Sequence, residues 1–199
     1  AHHREALLPA TFQILDSADQ LSAIKRLMKV MNVYDEKFPP KQVQGYINSC
    51  KDEGLRAHAV EAYDAHSQRL REIFEEYDKQ CQRDGVVDFA ELLLRSYELL
   101  ARDANLRQHY QSRFKYVLVD EFQDTNRLQY MWLKLLAGQG ADGQHNCMFA
   151  VGDDDQSIYA FRGARVGNML DFEKDFSIHN IIKLEQNYRS HSNILDAAN

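Results

Sequence analysis

The stretch "YVLVDEFQDTN" (residues 116–126) passes from an apolar run directly into a cluster of acids. Its first four residues have the β-branched, apolar composition of a buried strand, and Asp120, Glu121 and Asp124 follow within five positions. A carboxylate after such a strand can hold Mg²⁺, and a second one beside it can take a proton from an attacking water. Asp120 suits the first role and Glu121 the second. The alternative is a strand-end turn or a helix start, where acids are also favoured.

Two further apolar runs follow the same pattern. The segments "NCMFAV" (146–151) and "HNIIKL" (179–184) are short and end in polar residues. Helix-like stretches separate the runs, and this alternation predicts a parallel α/β sheet that is buried on both faces. Gly152, directly after the second run, is expected to permit a sharp exit from that strand. Ligands of such sheets bind at the carboxyl ends of the strands, where these acids lie.

The second acidic segment, "VGDDDQSIYAFRGA" (151–164), adds further polar and aromatic groups. Gln156 carries an amide that can accept a hydrogen bond from water and donate one to a phosphate oxygen. Tyr159, Phe161 and Arg162 supply two stacking surfaces and a cation, which together suit single-stranded nucleic acid. The alternative is that both aromatic rings belong to the core.

A third segment, "LEQNYRS" (184–190), follows the last apolar run. Its Tyr188 can stack on a nucleobase, and its Arg189 can stabilise the charge of a phosphoryl transition state. The three polar segments therefore lie at the ends of three predicted strands, where one site can draw on all of them.

The acids of the second half are clustered rather than scattered. Residues 1–115 carry 17 Lys and Arg against 18 Asp and Glu, whereas residues 116–199 carry 7 against 12. Half of those 12 acids fall at positions 120–124 and 153–155. Such clusters indicate a site for a cation or another polar ligand. The net charge of −6 does not by itself suggest a nucleic-acid-binding protein.

The first part of the chain has helical periodicity. Apolar residues recur on one stripe between positions 63 and 83, namely Leu70, Ile73, Phe74, Tyr77 and Cys81. Pro40 can open an earlier helix, and Asp88 with Glu91 resembles a capping signal for a later one. Apolar stripes of this kind are most simply core. We therefore predict a helical domain over residues 1–114 and assign it no chemistry of its own.

The cysteine content favours a reducing compartment. The three cysteines are widely spaced and form no CxxC pair, so we expect reduced thiols that fill the core. No signal-peptide pattern is present, and no apolar run approaches the roughly 18 residues of a membrane span. These features favour a cytoplasmic protein without a membrane partner.

In this order and spacing, the three polar segments resemble consecutive motifs of the UvrD/PcrA/Rep family of superfamily-one DNA helicases. The helical part, including "FQILDSADQL" and "VDFAELLLR", is more similar to the UvrD branch than to the Rep branch. The resemblance spans practically the whole chain. It implies an ATP-driven motor that moves 3′ to 5′ on single-stranded DNA and unwinds duplex DNA in nucleotide excision and mismatch repair.

The resemblance also implies roles for individual residues. These are Asp120 for Mg²⁺, Glu121 as catalytic base, Gln156 as sensor of the terminal phosphate, Tyr159, Phe161 and Arg162 for single-stranded DNA, Tyr188 for stacking on the nucleotide, and Arg189 for the γ-phosphate. One position departs from the family pattern, because Phe161 replaces the usual tryptophan. Phenylalanine keeps a stacking face of smaller area.

The implied fold is α/β and mostly α by content. The family pattern assigns residues 1–114 to a helical insertion domain and residues 115–180 to part of a RecA-like, P-loop-NTPase-type motor domain. Residues 181–199 would begin a second RecA-like domain. None of the nine glycines is followed by lysine, so a P-loop of the form GxxxxGK[ST] is absent. We therefore expect an internal fragment that does not hydrolyse ATP alone.

The implied cofactor is Mg²⁺ with ATP. The implied partners are single-stranded DNA, junctions of single- and double-stranded DNA, and DNA-repair proteins, in the bacterial cytosol or nucleoid. Exposed apolar sheet edges would also favour self-association.

Two other interpretations stay open. A helicase-nuclease subunit of the RecB/AddA type shares sequence like "DEFQDT", although that group usually lacks the "DDQS" form of the second motif. Alternatively, the isolated chain is a non-catalytic module that binds DNA or protein.

Overall fold

The computed structural model describes residues 2–34, 36–138, 146–153 and 167–176, together with positions 178, 180–184, 186, 188, 190–191, 193–194 and 197. The elements in chain order are β1 (Gln13–Leu15), α1 (Ser17–Val30), α2 (Pro40–Asp52), α3 (Ala65–Asp84), β2 (Val86–Asp88), α4 (Phe89–Arg102), α5 (Ala104–Arg113), β3 (Tyr116–Val119), α6 (Arg127–Ala137), β4 (Cys147–Ala150) and α7 (Gly167–Asp175). The described chain is thus mostly helical with small parallel sheets, consistent with the predicted α/β class. None of these helices is both long and apolar enough to span a membrane.

Helices α1, α2 and α3 enclose the first hydrophobic core. The stripe predicted on α3 is confirmed, since Ile73, Phe74, Tyr77 and Cys81 are buried and Leu70 packs against them. Asp64 caps the start of α3 by accepting a hydrogen bond from the backbone N–H of Ser67, and left-handed Gly85 ends the helix. The helix therefore begins and ends where its sequence signals lie.

A buried lysine joins four elements of this part of the chain. Lys51 of α2 is 1% exposed, and its Nζ lies 3.1 Å from Asp78 of α3, 2.9 Å from Asp88 of β2 and 2.9 Å from Glu91 of α4. The Tyr77 hydroxyl donates a further hydrogen bond to Asp88. Burial opposes the charge on Lys51, but the three carboxylates outweigh this effect and raise its pKa.

Two arginines extend the same ion network. Arg56 contacts Glu91 at 2.8 Å and Glu98 at 2.7 Å, and Arg95 contacts Glu91 at 2.6 Å. Burial alone would raise the pKa of Glu91, but the charges of Lys51 and Arg56 lower it to about 2. Glu91 therefore stays ionised inside the protein and binds cations from three segments.

A short parallel sheet within the helical part was not predicted. Strands β1 and β2 pair with Gln13 opposite Val86 and Leu15 opposite Asp88. Three residues per strand are too few to show a periodicity of two, so the sequence gives no signal for this sheet.

The second core forms around strands β3 and β4, which pair in parallel with Tyr116 opposite Cys147 and Val119 opposite Ala150. This confirms the pairing expected of the first two apolar runs. One face of the pair packs against α6 and α7 through a cluster of buried side chains, which are Phe122, Tyr130, Leu133, Ala137, Phe172 and Phe176.

The opposite face of the β3–β4 pair is exposed. Tyr116, Leu118 and Phe149 lie on it, and Cys147 is likewise exposed instead of filling the core. The expectation of a sheet buried on both faces is therefore wrong for the described residues. The physical reason is that α6 and α7 both pack on one side, and alternation along each strand directs every second side chain to the other side.

The prediction of a third strand over residues 179–184 is also wrong for the described part of that segment. Residues 180–184 adopt no strand, and Ile181, Ile182 and Leu184 are exposed. A strand needs hydrogen bonds from a neighbour, and no strand of the described chain pairs with this segment. Position 179 lies outside the described residues.

Helix α6 connects the two cores. Its Trp132 donates a hydrogen bond from Nε1 to the Ser96 hydroxyl of α4 at 2.9 Å, and its Leu128 is fully buried. Gly54, after α2, lies so close to α6 that an added Cβ would be 2.8 Å from the Met131 side chain. The start of α6, which follows the acidic stretch, is thus fixed by the helical part of the chain.

We expect the variant Lys51→Met to destabilise the chain by about 3–5 kcal/mol, because Asp88 would stay buried without a cation and Glu91 would lose one of its three. Lys79→Met is the matched control, since Lys79 contacts Glu75 and Glu76 at the exposed surface of α3 and its loss should change stability little. Urea unfolding of both variants measures the difference. Equal losses of stability would contradict a structural role for the buried ion.

Candidate functional site

Two exposed carboxylates stand side by side where strand β3 ends. Asp120 directly follows β3, and its Oδ1 accepts a hydrogen bond from the backbone N–H of Glu121 at 3.0 Å. Both side chains are exposed to solvent. The carboxyl end of a parallel strand thus presents two adjacent anionic groups, as the sequence predicts.

The backbone of Glu121 is strained. Its φ of 50° and ψ of 43° lie in the left-handed region, which costs a non-glycine residue about 1–2 kcal/mol. The following turn is anchored by Phe122, which is buried against Phe172 with ring centroids 4.9 Å apart. The backbone N–H of Phe122 also donates to the carbonyl of Val151 at 2.9 Å. Strain of this kind persists where surrounding contacts determine the conformation.

Gln123 links the two acidic segments and was not among the predicted site residues. Its Nε2 donates a hydrogen bond to Glu121 Oε2 at 2.7 Å. Its Oε1 accepts one from the backbone N–H of Asp153 at 3.1 Å. Gln123 is almost completely buried, so the amide connects the two segments beneath the surface. A polar residue between acids is the one sequence signal that could have identified it.

Gly152 is required by close packing rather than by backbone conformation. Its φ is not in the left-handed region, so the predicted need for a sharp exit is not the reason for glycine here. An added Cβ would lie 2.7 Å from Gln123 Oε1 and 3.3 Å from the backbone nitrogen of Phe122. The two acidic segments therefore approach each other without room for a side chain.

The rest of the loop between β3 and α6 (residues 120–126, the acidic loop) is held by polar contacts. Thr125 donates to the carbonyl of Phe122 at 2.7 Å, and Asn168 of α7 donates to the carbonyl of Thr125 at 3.0 Å. Asn126 caps α6 by accepting from the backbone N–H of Gln129 at 2.8 Å. Within the described residues, the buried Oδ1 of Asp124 has no hydrogen-bond partner.

The end of α2 contacts the start of α6. Asp52 accepts a hydrogen bond from Asn126 Nδ2 at 3.0 Å, and Arg127 lies 3.6 Å from Glu53. Burial raises the pKa of Asp52 to about 6, although the bond from Asn126 acts in the opposite direction. The helical part of the chain thus contacts the last residue of the acidic loop directly.

The donor set suits a hard cation that is shared with a ligand. Asp120, the residue predicted to hold Mg²⁺, offers exposed carboxylate oxygens of the kind that this ion prefers, and Glu121 lies beside it. Across the described positions, no group of three or more His, Cys, Asp and Glu side chains is placed to enclose a metal ion. Mg²⁺ commonly binds through one or two carboxylates plus waters and substrate phosphates, so an exposed Asp120 fits this mode.

The other predicted site residues are not brought to this loop by any described contact. Tyr188 is exposed, and its hydroxyl donates to Gln186 Oε1 at 3.0 Å. The five other predicted residues lie outside the described residues, namely Gln156, Tyr159, Phe161, Arg162 and Arg189. Their roles stay predictions.

Comparison with known proteins gives consistent matches. The family described as UvrD/REP helicase N-terminal domain matches residues 1–177. The chain is 52% identical to DNA helicase II of Escherichia coli (strain K12) over 200 residues, covering 100% of this chain and 27% of that protein. It shows the same identity and coverage with DNA helicase II of Haemophilus influenzae. It is 42% identical to the ATP-dependent DNA helicase PcrA of Staphylococcus aureus (strain Mu50), over 94% of this chain and 25% of that protein. The chain therefore spans about a quarter of the length of these relatives.

Because Glu121 has a left-handed backbone, Glu121→Gly should be more stable than Glu121→Ala by about 1 kcal/mol. Both variants remove the same carboxylate, so their difference reports the backbone strain less the larger folding entropy cost of glycine. Chemical denaturation of the two proteins gives this difference directly. An alanine variant at least as stable as the glycine variant would contradict this prediction.

The raised pKa of Asp52 predicts a stability effect that depends on pH. The folded-state pKa of about 6 exceeds the ordinary value of 3.8, so the wild type loses stability as pH rises through this interval. Asp52→Asn keeps an acceptor for Asn126 without the titration. Its stability relative to wild type should therefore increase by about 1–2 kcal/mol between pH 4 and pH 8. This gain is smaller than the full pKa shift would give, because the carboxyl group is only partly buried. Thermal unfolding at several pH values measures this, and a constant difference would contradict it.

Proposed function

The chain belongs to the UvrD/REP helicase family, and on this basis we propose that it forms part of an ATP-dependent DNA helicase. The observation that carries the proposal is the pair of exposed carboxylates, Asp120 and Glu121, at the carboxyl end of β3. A parallel strand that ends in two acids is suited to phosphoryl transfer, where one group holds a metal ion and another activates water. The relatives are named as DNA helicases, one of them as ATP-dependent, which agrees with this chemistry.

In the proposed reaction, Asp120 holds the Mg²⁺ that accompanies ATP, and Glu121 accepts a proton from the attacking water. The metal ion would neutralise charge on the phosphates. Glu121 is suited to its role because its Oε2 is held by Gln123, while its Oε1 accepts no hydrogen bond from the described residues. A base with one anchored oxygen and one available oxygen can orient and deprotonate a water molecule.

The remaining roles rest on sequence motifs alone. We propose Gln156 and Arg189 as contacts to the terminal phosphate and Tyr188 as a stacking surface for the nucleotide. Single-stranded DNA would bind through an aromatic and basic set made of Tyr159, Phe161 and Arg162. The strands and helices after residue 115 would then be part of a RecA-like motor domain.

The direction and setting of this activity are proposals of the same kind. We propose 3′ to 5′ movement on single-stranded DNA, unwinding of duplexes during nucleotide excision and mismatch repair, and cooperation with DNA-repair proteins in the cytosol. These rest on the similarity of the three motifs to the family pattern.

We expect Glu121→Gln in the full-length protein to lower the kcat of DNA-stimulated ATP hydrolysis by roughly 10²- to 10⁴-fold, because the amide cannot accept the proton. Binding of single-stranded DNA should be retained, since the substitution leaves the proposed DNA contacts intact. Steady-state hydrolysis and fluorescence anisotropy with a labelled oligonucleotide measure the two activities.

The matched control for this experiment is Glu75→Gln, an exposed acid of α3 whose loss should change neither activity. Full ATP hydrolysis by the Glu121 variant would exclude the proposed base. A protein that serves only as a binding module would show no change in any activity with either variant.

A further inference from the structure

The burial of Gln123 requires an explanation beyond packing. The side chain is 2% exposed although its amide is polar, and a buried amide without partners costs about 1–3 kcal/mol. Both ends of this amide are satisfied, one by the carboxylate of Glu121 and the other by the backbone N–H of Asp153. The surrounding structure is therefore arranged around a group that donates at one end and accepts at the other.

The two partners also determine which way the amide points. The carboxylate of Glu121 accepts the hydrogen bond, and the backbone N–H of Asp153 can only donate one. Only the observed orientation of the Gln123 amide satisfies both. Methionine has a similar volume but neither donor nor acceptor of comparable strength, so it would fill the site without making the bridge.

The bridge joins two segments that are already closely packed. The loop after β3 and the exit of β4 share the backbone hydrogen bond from Phe122 to Val151 at 2.9 Å. Gly152 lies against the Gln123 amide so closely that a Cβ would come within 2.7 Å of Oε1. A movement of residues 151–153 toward the loop after β3 would therefore displace the Gln123 amide, which donates a hydrogen bond to the carboxylate of Glu121.

We propose that Gln123 is a positioning residue that holds the carboxylate of Glu121 in place and couples it to the exit of strand β4. Its effect on rate rests on the proposed function, in which Glu121 is the base that activates water. Gln123 does not touch the reacting atoms in this scheme. It fixes one oxygen of Glu121, so that the other oxygen keeps a constant position and direction.

The first test compares Gln123→Met with wild type in the full-length protein. The kcat of DNA-stimulated ATP hydrolysis should fall roughly 10- to 100-fold, as is typical when the partner that orients an active group is lost. The KM for ATP should change less than about threefold, because the lost interaction orients the base rather than the bound nucleotide. Gln68→Met is the matched control, an exposed glutamine of α3 that should change neither constant.

The outcomes of this test separate positioning from simple stability. A fall in kcat with an unchanged KM, at a temperature where the variant is folded, supports the proposal. An unchanged kcat would overturn it. A proportional loss of all activities that follows the fraction of folded protein would also overturn it, because that pattern indicates a structural role only.

The second test uses the 199-residue chain and does not depend on ATP hydrolysis. The variants Gly152→Ala, Gln123→Ala and their combination form a double-mutant cycle that is measured by thermal unfolding. Gly152→Ala should lower Tm by at least about 2 °C more in the wild-type background than in the Gln123→Ala background, because the shorter side chain makes room for the new Cβ.

Additive changes in Tm would show that Gln123 and Gly152 are not coupled and would overturn the proposed bridge. Absence of ATP hydrolysis in the full-length wild type would instead refute the proposed function and, with it, the effect of Gln123 on rate. The two failures are thus distinguishable, since only the first appears in the unfolding experiment.

Discussion

The compensation of the charge on Lys51 is the constraint on which the described structure depends. An ammonium group that is 1% exposed is stable only when carboxylates surround it, and its three partners come from three different elements. Those partners lie between 27 and 40 residues further along the chain, so no local segment can satisfy Lys51 by itself. Helices α2, α3 and α4 must all reach their places before the charge is compensated. The network is therefore satisfied in only one arrangement of these helices. We infer that this structural specificity, rather than stability, is the reason for the buried ion. Apolar residues in place of the whole network can give an equally stable protein.

The ion network also influences the position of the acidic loop, because the residue next to Lys51 contacts the end of that loop. Asp52 follows Lys51 directly, so fixing the end of α2 also fixes the carboxyl group that accepts a hydrogen bond from Asn126. Asn126 in turn caps α6 and ends the loop that carries Asp120 and Glu121. The loop is thus held at one end by its strand and at the other by the helical part of the chain. The helices assigned no chemistry from sequence consequently contribute to the position of the candidate site.

Sequence periodicity predicted those features whose cause is local. The stripe on α3, the apolar strands β3 and β4, and the acids after β3 are all visible within a few residues. The buried network was not predicted, because a lysine within a helix such as α2 is normally solvated and its partners are distant in sequence. Within the described residues, the burial of both sheet faces and the strand over positions 180–184 were predicted wrongly for a related reason. An apolar run shows that a segment prefers burial, but it does not show what buries it.

The position of the Glu121 carboxylate depends on a neighbouring residue that is not itself an acid. A glutamate side chain has three rotatable bonds, and leaving them free would disperse the carboxylate over many positions. The structure limits this freedom at both ends, through a strained left-handed backbone and through the hydrogen bond from Gln123 to Oε2. Orientation of a reactive group to within a fraction of an ångström requires such support from neighbouring side chains. A sequence motif identifies the acid by its charge, whereas the buried amide beside it determines where that charge lies. Gln123 and Gly152 therefore belong to the candidate site as much as the two carboxylates do, since the acidic loop and the exit of β4 meet at these two residues.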